Sequence, residues 1–213
     1  MTEKEQTEVT KNLVYAHDPM CSWCWGIAPT FDRVKGQLPD DIELVMLLGG
    51  LAPDSDQPMP QQMRQYLQQT WQTIEAQIPG TSFNHDFWTQ CEPRRSTYPA
   101  CRAVIAARLF GPDMDQKMTR AIQQAYYLQA KNPSDNETLI GLADELGLDT
   151  EKFAEVLTDD NTHQQLLQEI TLVQRLGVQG FPSMVLISGQ DVRPIRVRHG
   201  DPDGMLEDIT RFA

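Results

Sequence analysis

The sequence contains no apolar run approaching the roughly eighteen residues that a bilayer-spanning helix needs. Residues 1–12 are polar and lack the apolar centre of a secretion signal, so a cytoplasmic location is the expectation. Basic residues are scarce too: 18 Lys and Arg face 30 Asp and Glu, a formal charge of −12. That balance argues against sequence-independent binding to nucleic acid or to an anionic membrane, because both rely on Lys and Arg displacing counterions. Cysteine is also rare. Four in 213 residues are too few for a disulfide scaffold, and cytosolic thiols stay reduced unless chemistry requires otherwise.

What is present is an ordinary globular composition, 40% apolar and 23% charged, at a length that suits one domain or one domain carrying a large insert. Residues 12–17 read as a short buried strand that Asp18 and Pro19 end. The period then changes: Cys24, Ile27, Ala28, Phe31, Val34 and Leu38 form the stripe of an amphipathic helix closing near Gly36 to Pro39. A second strand spans Ile42 to Leu48, and Gly49 to Pro60 reads as a loop.

Helical stripes follow: Met63, Leu67, Trp71, Ile74 and Ile78; Cys101, Ile105 and Leu109; Met118, Ala121, Ile122, Ala125 and Leu128. The pattern continues through Leu139, Leu142, Ala143 and Leu146, then Leu166, Ile170 and Val173, while Gln61 to Gln77 reads as the wet face of a helix. After Gly177, Ser183 to Ile187 and Val192 to Val197 form a predicted hairpin, and Asp201 and Pro202 open a last helix on Met205, Ile209 and Phe212. The expected organisation is an α/β unit made of residues 12–50 and 177–213, interrupted by an all-helical unit over residues 51–176.

Cys21 and Cys24, with Ser22 and Trp23 between them, stand at the junction of the first strand and helix. The helix stripe covers Cys24 and is expected to leave Cys21 exposed. A thiol at a helix start meets unpaired N–H groups and the positive end of the helix dipole, which favour the thiolate, so Cys21 is the expected nucleophile. Two intervening residues bring the sulfurs close enough to make and break a bond, and the implied reaction is thiol–disulfide exchange with Cys24 resolving. Zinc sites use the same spacing but need four ligands. Here Cys91 and Cys101 lie far off, and His17, His85, His163 and His199 are scattered.

The segment Asp18-Pro19-Met20-Cys21-Ser22-Trp23-Cys24-Trp25-Gly26, together with Gly180-Phe181-Pro182-Ser183, resembles the DsbA-like branch of the thioredoxin superfamily, and within it the FrnE-like cytoplasmic proteins. The resemblance runs from residue 12 to the end. It implies a thioredoxin fold interrupted by a helical insertion after its second strand, and a thiol–disulfide oxidoreductase, with disulfide isomerisation as an extension of the same chemistry. It further implies a cis Pro182 facing the cysteines, with Phe181 offering backbone groups to an extended substrate and Trp23 an apolar platform. No bound cofactor is expected; the substrate is a protein or small molecule carrying a disulfide or thiol, and glutathione is a candidate redox partner or co-substrate. The Ser-Trp dipeptide leaves the direction open, across a span from about −270 mV for thioredoxin to about −120 mV for DsbA.

The rival reading resembles kappa-class glutathione transferases and 2-hydroxychromene-2-carboxylate isomerases, which share the interrupted fold and carry a lone serine at the first cysteine position. A non-catalytic module whose cysteines sense oxidant is a third. Among other residues, Cys101 reads as a small buried hydrophobe, Cys91 as a loop residue, and the two as a relay pair only if the fold joins them. His17 reads as a satisfied structural histidine or an active-site neighbour. Asp18 and Glu43 either tune Cys24 or face solvent, and Trp25 serves substrate or packs on the helical insert.

Overall fold

The structure, a computed structural model, describes residues 11–213. The polar opening segment lies almost wholly outside the described residues. A four-stranded sheet has the order β2-β1-β3-β4, with β1 at Lys11–His17, β2 at Ile42–Leu48, β3 at Ser183–Ser188 and β4 at Asp191–Ile195. β1 pairs parallel to β2 and antiparallel to β3, and β3 and β4 form the hairpin. β1 lies inside the sheet between β2 and β3, and its Leu13–Ala16 stretch is an unbroken, buried apolar run. β4 is an edge strand that tolerates Pro194 and ends at Ile195, two residues short of the expected Val197.

Helix α1 (Ser22–Lys35) joins β1 to β2. Its Ile27, Phe31 and Val34 pack with Leu13, Tyr15, Met184 and Leu186 of the sheet and with Met205 and Ile209 of the last helix, α9 (Pro202–Phe212). Arg33 and Lys35 occupy the last turn of α1, where cations complement the negative end of the helix dipole. At the start of α9 the Asp201 carboxylate accepts the Gly204 N–H at 3.0 Å, with Pro202 in the first turn where its missing N–H costs nothing.

Between β2 and β3 come α2 (Gln61–Gln77), α3 (Phe87–Gln90), α4 (Tyr98–Ala107), α5 (Met114–Leu128), α6 (Asn136–Glu145), α7 (Thr150–Thr158) and α8 (Asp160–Arg175). The protein is thus a thioredoxin-like α/β fold with a helical insertion. α4 is the axis of the insert, with every residue from Pro99 to Ala107 buried except Arg102. Trp71 of α2, fully buried, anchors an aromatic cluster with Phe83, Phe87, Trp88, Tyr126 and Tyr127.

Two stripe residues depart from the periodic reading. Leu109 is 64% exposed because α4 tightens into a single 3-10 turn at Arg108–Phe110, which rotates that position out of the buried face. Leu128 is 40% exposed at the last residue of α5, where the helix is already leaving the core.

Candidate active site

The chain turns sharply after β1, and Cys21 N–H bonds the Asp18 carbonyl at 3.0 Å. Cys21 is the N-cap of α1, with φ −81° and ψ 115°, and its sulfur accepts the Cys24 N–H at 3.3 Å. A thiol therefore does the capping work that serine or aspartate performs elsewhere. The Cys21 sulfur also lies 3.4 Å from the Phe181 carbonyl. The Phe181–Pro182 peptide bond is cis. A Cβ on Gly49, at the end of β2, would overlap the Phe181 ring, so glycine there makes room for the loop that meets the cysteine.

Cys21 is only 5% exposed, which corrects the expectation of an open thiol: the Phe181 carbonyl covers the N-cap sulfur. Cys24 is 1% exposed. Burial pushes its thiol well up, reinforced by the hydrogen bond to Cys21 and by that sulfur's charge. Both cysteines are free thiols, as are Cys91 and Cys101.

Asp18 is fully buried, and its carboxylate is a hub. Oδ1 accepts the Met20 N–H at 2.8 Å; Oδ2 accepts the Leu51 N–H at 2.8 Å, the Thr97 hydroxyl at 2.7 Å and the Cys101 thiol at 3.5 Å. Burial raises the proton affinity of Asp18, and these donors pull it back. Glu43 is exposed on β2. Of the two carboxylates weighed from sequence, one ties the active-site turn to the insert and the other faces solvent. Cys101 is a hydrogen-bond donor to that hub, and its thiol is driven well up by burial and by Asp18. Cys91 donates instead to the Ala130 carbonyl at 3.0 Å, so the relay cysteines turn to different partners.

The insert also holds the dipeptide between the cysteines. Ser22 is buried and accepts the Trp71 indole N–H at 3.0 Å. Trp25 stacks on Tyr127 with centroids 5.7 Å apart and donates to the Ser82 carbonyl at 3.2 Å, so it packs on the insert. Trp23 is half-buried and tilts against His199, centroids 5.4 Å apart. Glu169 of α8 accepts the Leu48 N–H at 2.7 Å and pairs with Arg108, pinning the end of β2.

His17 is 2% exposed and stacks on Tyr15 with ring centroids 5.3 Å apart. Burial lowers it to about 3, and the Arg108 charge adds to that effect, so the ring is neutral. Tyr15 and Cys24 line one small cavity, and burial, with the nearby cysteines adding to it, drives Tyr15 well up as well. Period-two alternation along β1 puts Leu13, Tyr15 and His17 on one face, a signal that could have placed both beside α1.

The model of the family described as thioredoxin matches residues 15–196. The chain belongs to that family. Among solved structures, a candidate protein disulfide isomerase from Nitrosomonas europaea is 26% identical with a TM-score of 0.82, over 95% of this chain and 97% of that one. The cytosolic disulfide reductase DsbM from Pseudomonas aeruginosa is 25% identical with a TM-score of 0.77, over 95% and 100% of the two chains. Its structure with GSH, at 23% identity and a TM-score of 0.75 over 94% and 98%, shares the fold. A curated relative, the ClpXP adapter protein SpxH of Bacillus subtilis, is 24% identical over 174 residues, 81% of this chain and 57% of its own length. The chain thus spans little more than half of that relative.

Proposed function

We propose that the protein is a thiol–disulfide oxidoreductase working through Cys21 and Cys24. The observation that carries this reading is the setting of the Cys21 sulfur, held between the Cys24 N–H and the Phe181 carbonyl beside a cis proline. The N–H stabilises a thiolate there, and the backbone on its other side suits an extended peptide. The Cys21 thiolate attacks a substrate disulfide, forming a mixed disulfide and releasing one substrate sulfur as thiolate. Cys24, deprotonated, then attacks Cys21; the Cys21–Cys24 bond forms and the second substrate sulfur leaves. The oxidised enzyme runs the same steps backwards; isomerisation uses the first attack, after which another substrate thiolate attacks the mixed disulfide, forms the rearranged substrate bond and releases the Cys21 thiolate, with Cys24 needed only for rescue.

In this reading residues 12–50 and 177–213 are the catalytic unit, and residues 51–176 buttress the active-site helix. Phe181, Pro182 and Trp23 line the substrate's approach. Glutathione is a fitting small-molecule partner, since a neighbour of the same fold has been solved with GSH, and a cytoplasmic setting accords with a cytosolic reductase among the neighbours. Two thiols, where the glutathione transferase and isomerase readings need only one serine, favour exchange.

The Cys24→Ser variant tests this. Incubated with oxidised glutathione or a disulfide-bonded peptide, it is expected to accumulate a mixed disulfide on Cys21, visible by intact-mass spectrometry. A Cys24→Ser protein that stays free of adducts would count against the reading, as would a Cys21→Ser protein that still reduces the peptide at full rate.

A further inference from the structure

β2 runs out into two glycines, Gly49 and Gly50, and three side chains settle on them. The Phe181 ring lies on Gly49. Gly50 has φ +58°, and a Cβ built there would stand 2.6 Å from Ile170 Cδ1 and 2.8 Å from Tyr98 Cε1, so backbone and space alike require glycine. Ile170 belongs to α8 and Tyr98 opens α4, so two elements of the insert meet the sheet unit at this point.

Hydrogen bonds to the end of β2 and the loop beyond it hold the two insert residues in place. Glu169, next to Ile170, accepts the Leu48 N–H at 2.7 Å, and the Tyr98 N–H donates to the Ala52 carbonyl at 3.2 Å. All three side chains are nonetheless half-buried, Tyr98 and Ile170 leaning on the insert core while part of each stays open. Phe181 joins this apolar surface to the chemistry, because its carbonyl lies 3.4 Å from the Cys21 sulfur. One residue thus touches both the nucleophile and the platform.

We propose that Tyr98 and Ile170 select the substrate: with the Phe181 ring they seat an apolar side chain of a disulfide-bearing polypeptide, two positions from the cysteine that Cys21 attacks. The inference rests on the proposed exchange chemistry and names its substrate class. Side chains of an extended chain alternate, so residues two apart fall on one side about 7 Å from each other. A substrate cysteine at the Cys21 sulfur therefore sends its second neighbour towards the apolar groups around Gly50. Glutathione has a single residue on each side of its cysteine and ends before this surface, so it reacts at Cys21 without using the platform. A polypeptide gains there by burying apolar area, and the gain falls on the step in which the Cys21 thiolate bonds one substrate sulfur and the other leaves with the electrons of the broken bond. Tyr98 and Ile170 touch the substrate chain rather than the reacting sulfurs; their role is specificity.

The test uses protein carrying Cys24→Ser and Cys91→Ser, in which Cys21 makes the first attack and Cys24 cannot resolve it. Its substrates are short peptides whose central cysteine is disulfide-bonded to an aromatic thiol, with Leu, Ser or Asp at both positions two residues away; attack on the peptide sulfur releases one coloured thiolate. The Leu peptide is expected to react about ten-fold faster than the Ser peptide at low concentration, where binding energy shows in the second-order rate. Tyr98→Ser and Ile170→Ser are each expected to shrink that ratio, and Ile170→Leu to keep it. Ile170→Lys is expected to react faster with the Asp peptide than with the Ser peptide, a new preference that an unfolded chain would not show. Equal rates for Leu and Ser peptides before any change at Tyr98 or Ile170 overturn the platform and leave the exchange reading standing. So does a ratio that survives both Ser variants, since a purely structural role slows every peptide alike, and so does an Ile170→Lys protein indifferent to Asp. Release of no coloured thiolate from any peptide takes down the exchange reading and the platform with it.

Discussion

The two cysteines stand three positions apart and meet opposite surroundings. Cys21 caps α1 and faces the Phe181 carbonyl, on a front formed by the sheet unit's own loops. Cys24 faces back, where Tyr15 and a small cavity walled on the insert side by Thr119 and Gln123 lie against it. The front offers backbone to a substrate and a donor to a thiolate. The back offers burial, which holds the Cys24 proton in place until a base or water removes it. The difference teaches that the insert does more than add bulk: through Trp71, Thr97, Cys101, Thr119 and Gln123 it reaches the dipeptide, the Asp18 hub and the resolving sulfur.

The comparison breaks most completely at the front sulfur. Cys21→Ser is expected to abolish reaction with a disulfide peptide, whereas Cys24→Ser loses turnover but keeps the first attack; a turnover assay beside intact-mass spectrometry separates them.

Acid tests the back. His17 titrates near 6.5 when unfolded and at about 3 in the folded protein. Below 6.5 the unfolded chain takes up a proton that the folded chain refuses, so the stability present above 6.5 falls as pH drops towards 3. The gap corresponds to at most about 5 kcal/mol. His17→Gln is expected to flatten that part of the acid slope in urea titrations; an identical slope would show that His17 does not carry it.

Removing the hub is expected to matter somewhat less. Asp18→Ala leaves the Leu51 and Met20 N–H groups, the Thr97 hydroxyl and the Cys101 thiol without their acceptor, a loss of about 3 kcal/mol by denaturant unfolding. The smallest effect belongs to Ser22→Ala, which strips the Trp71 indole of its acceptor at a cost of about 1 kcal/mol. If Ser22→Ala shifts the reduction potential as well, the insert tunes the front sulfur through Ser22; an unchanged potential confines its influence to the back.

The sequence pattern revealed the interrupted α/β order because apolar periodicity switches from two to three and four and back again, and the local partners of each element are near in the chain. It placed Cys21 at a helix start for the same reason. What it missed around the cysteines shares a cause: contacts between residues distant in sequence. The cover over Cys21 comes from Phe181, the fate of Asp18 from Leu51, Thr97 and Cys101, and the hydroxyl and amide near Cys24 from α5. No local spacing encodes these meetings. Leu109 was misplaced for a different reason, since a helix that tightens by one turn looks periodic until its hydrogen bonds are seen.

The most direct test of the central claim is to equilibrate the wild-type protein across glutathione redox buffers, follow tryptophan fluorescence, and map the disulfide at each point by mass spectrometry. The account predicts a single two-electron transition in which one bond forms, between Cys21 and Cys24, while Cys91 and Cys101 stay reduced throughout. A chain that keeps four free thiols across the whole range, or one that first joins Cys101 to either of the pair, would contradict it.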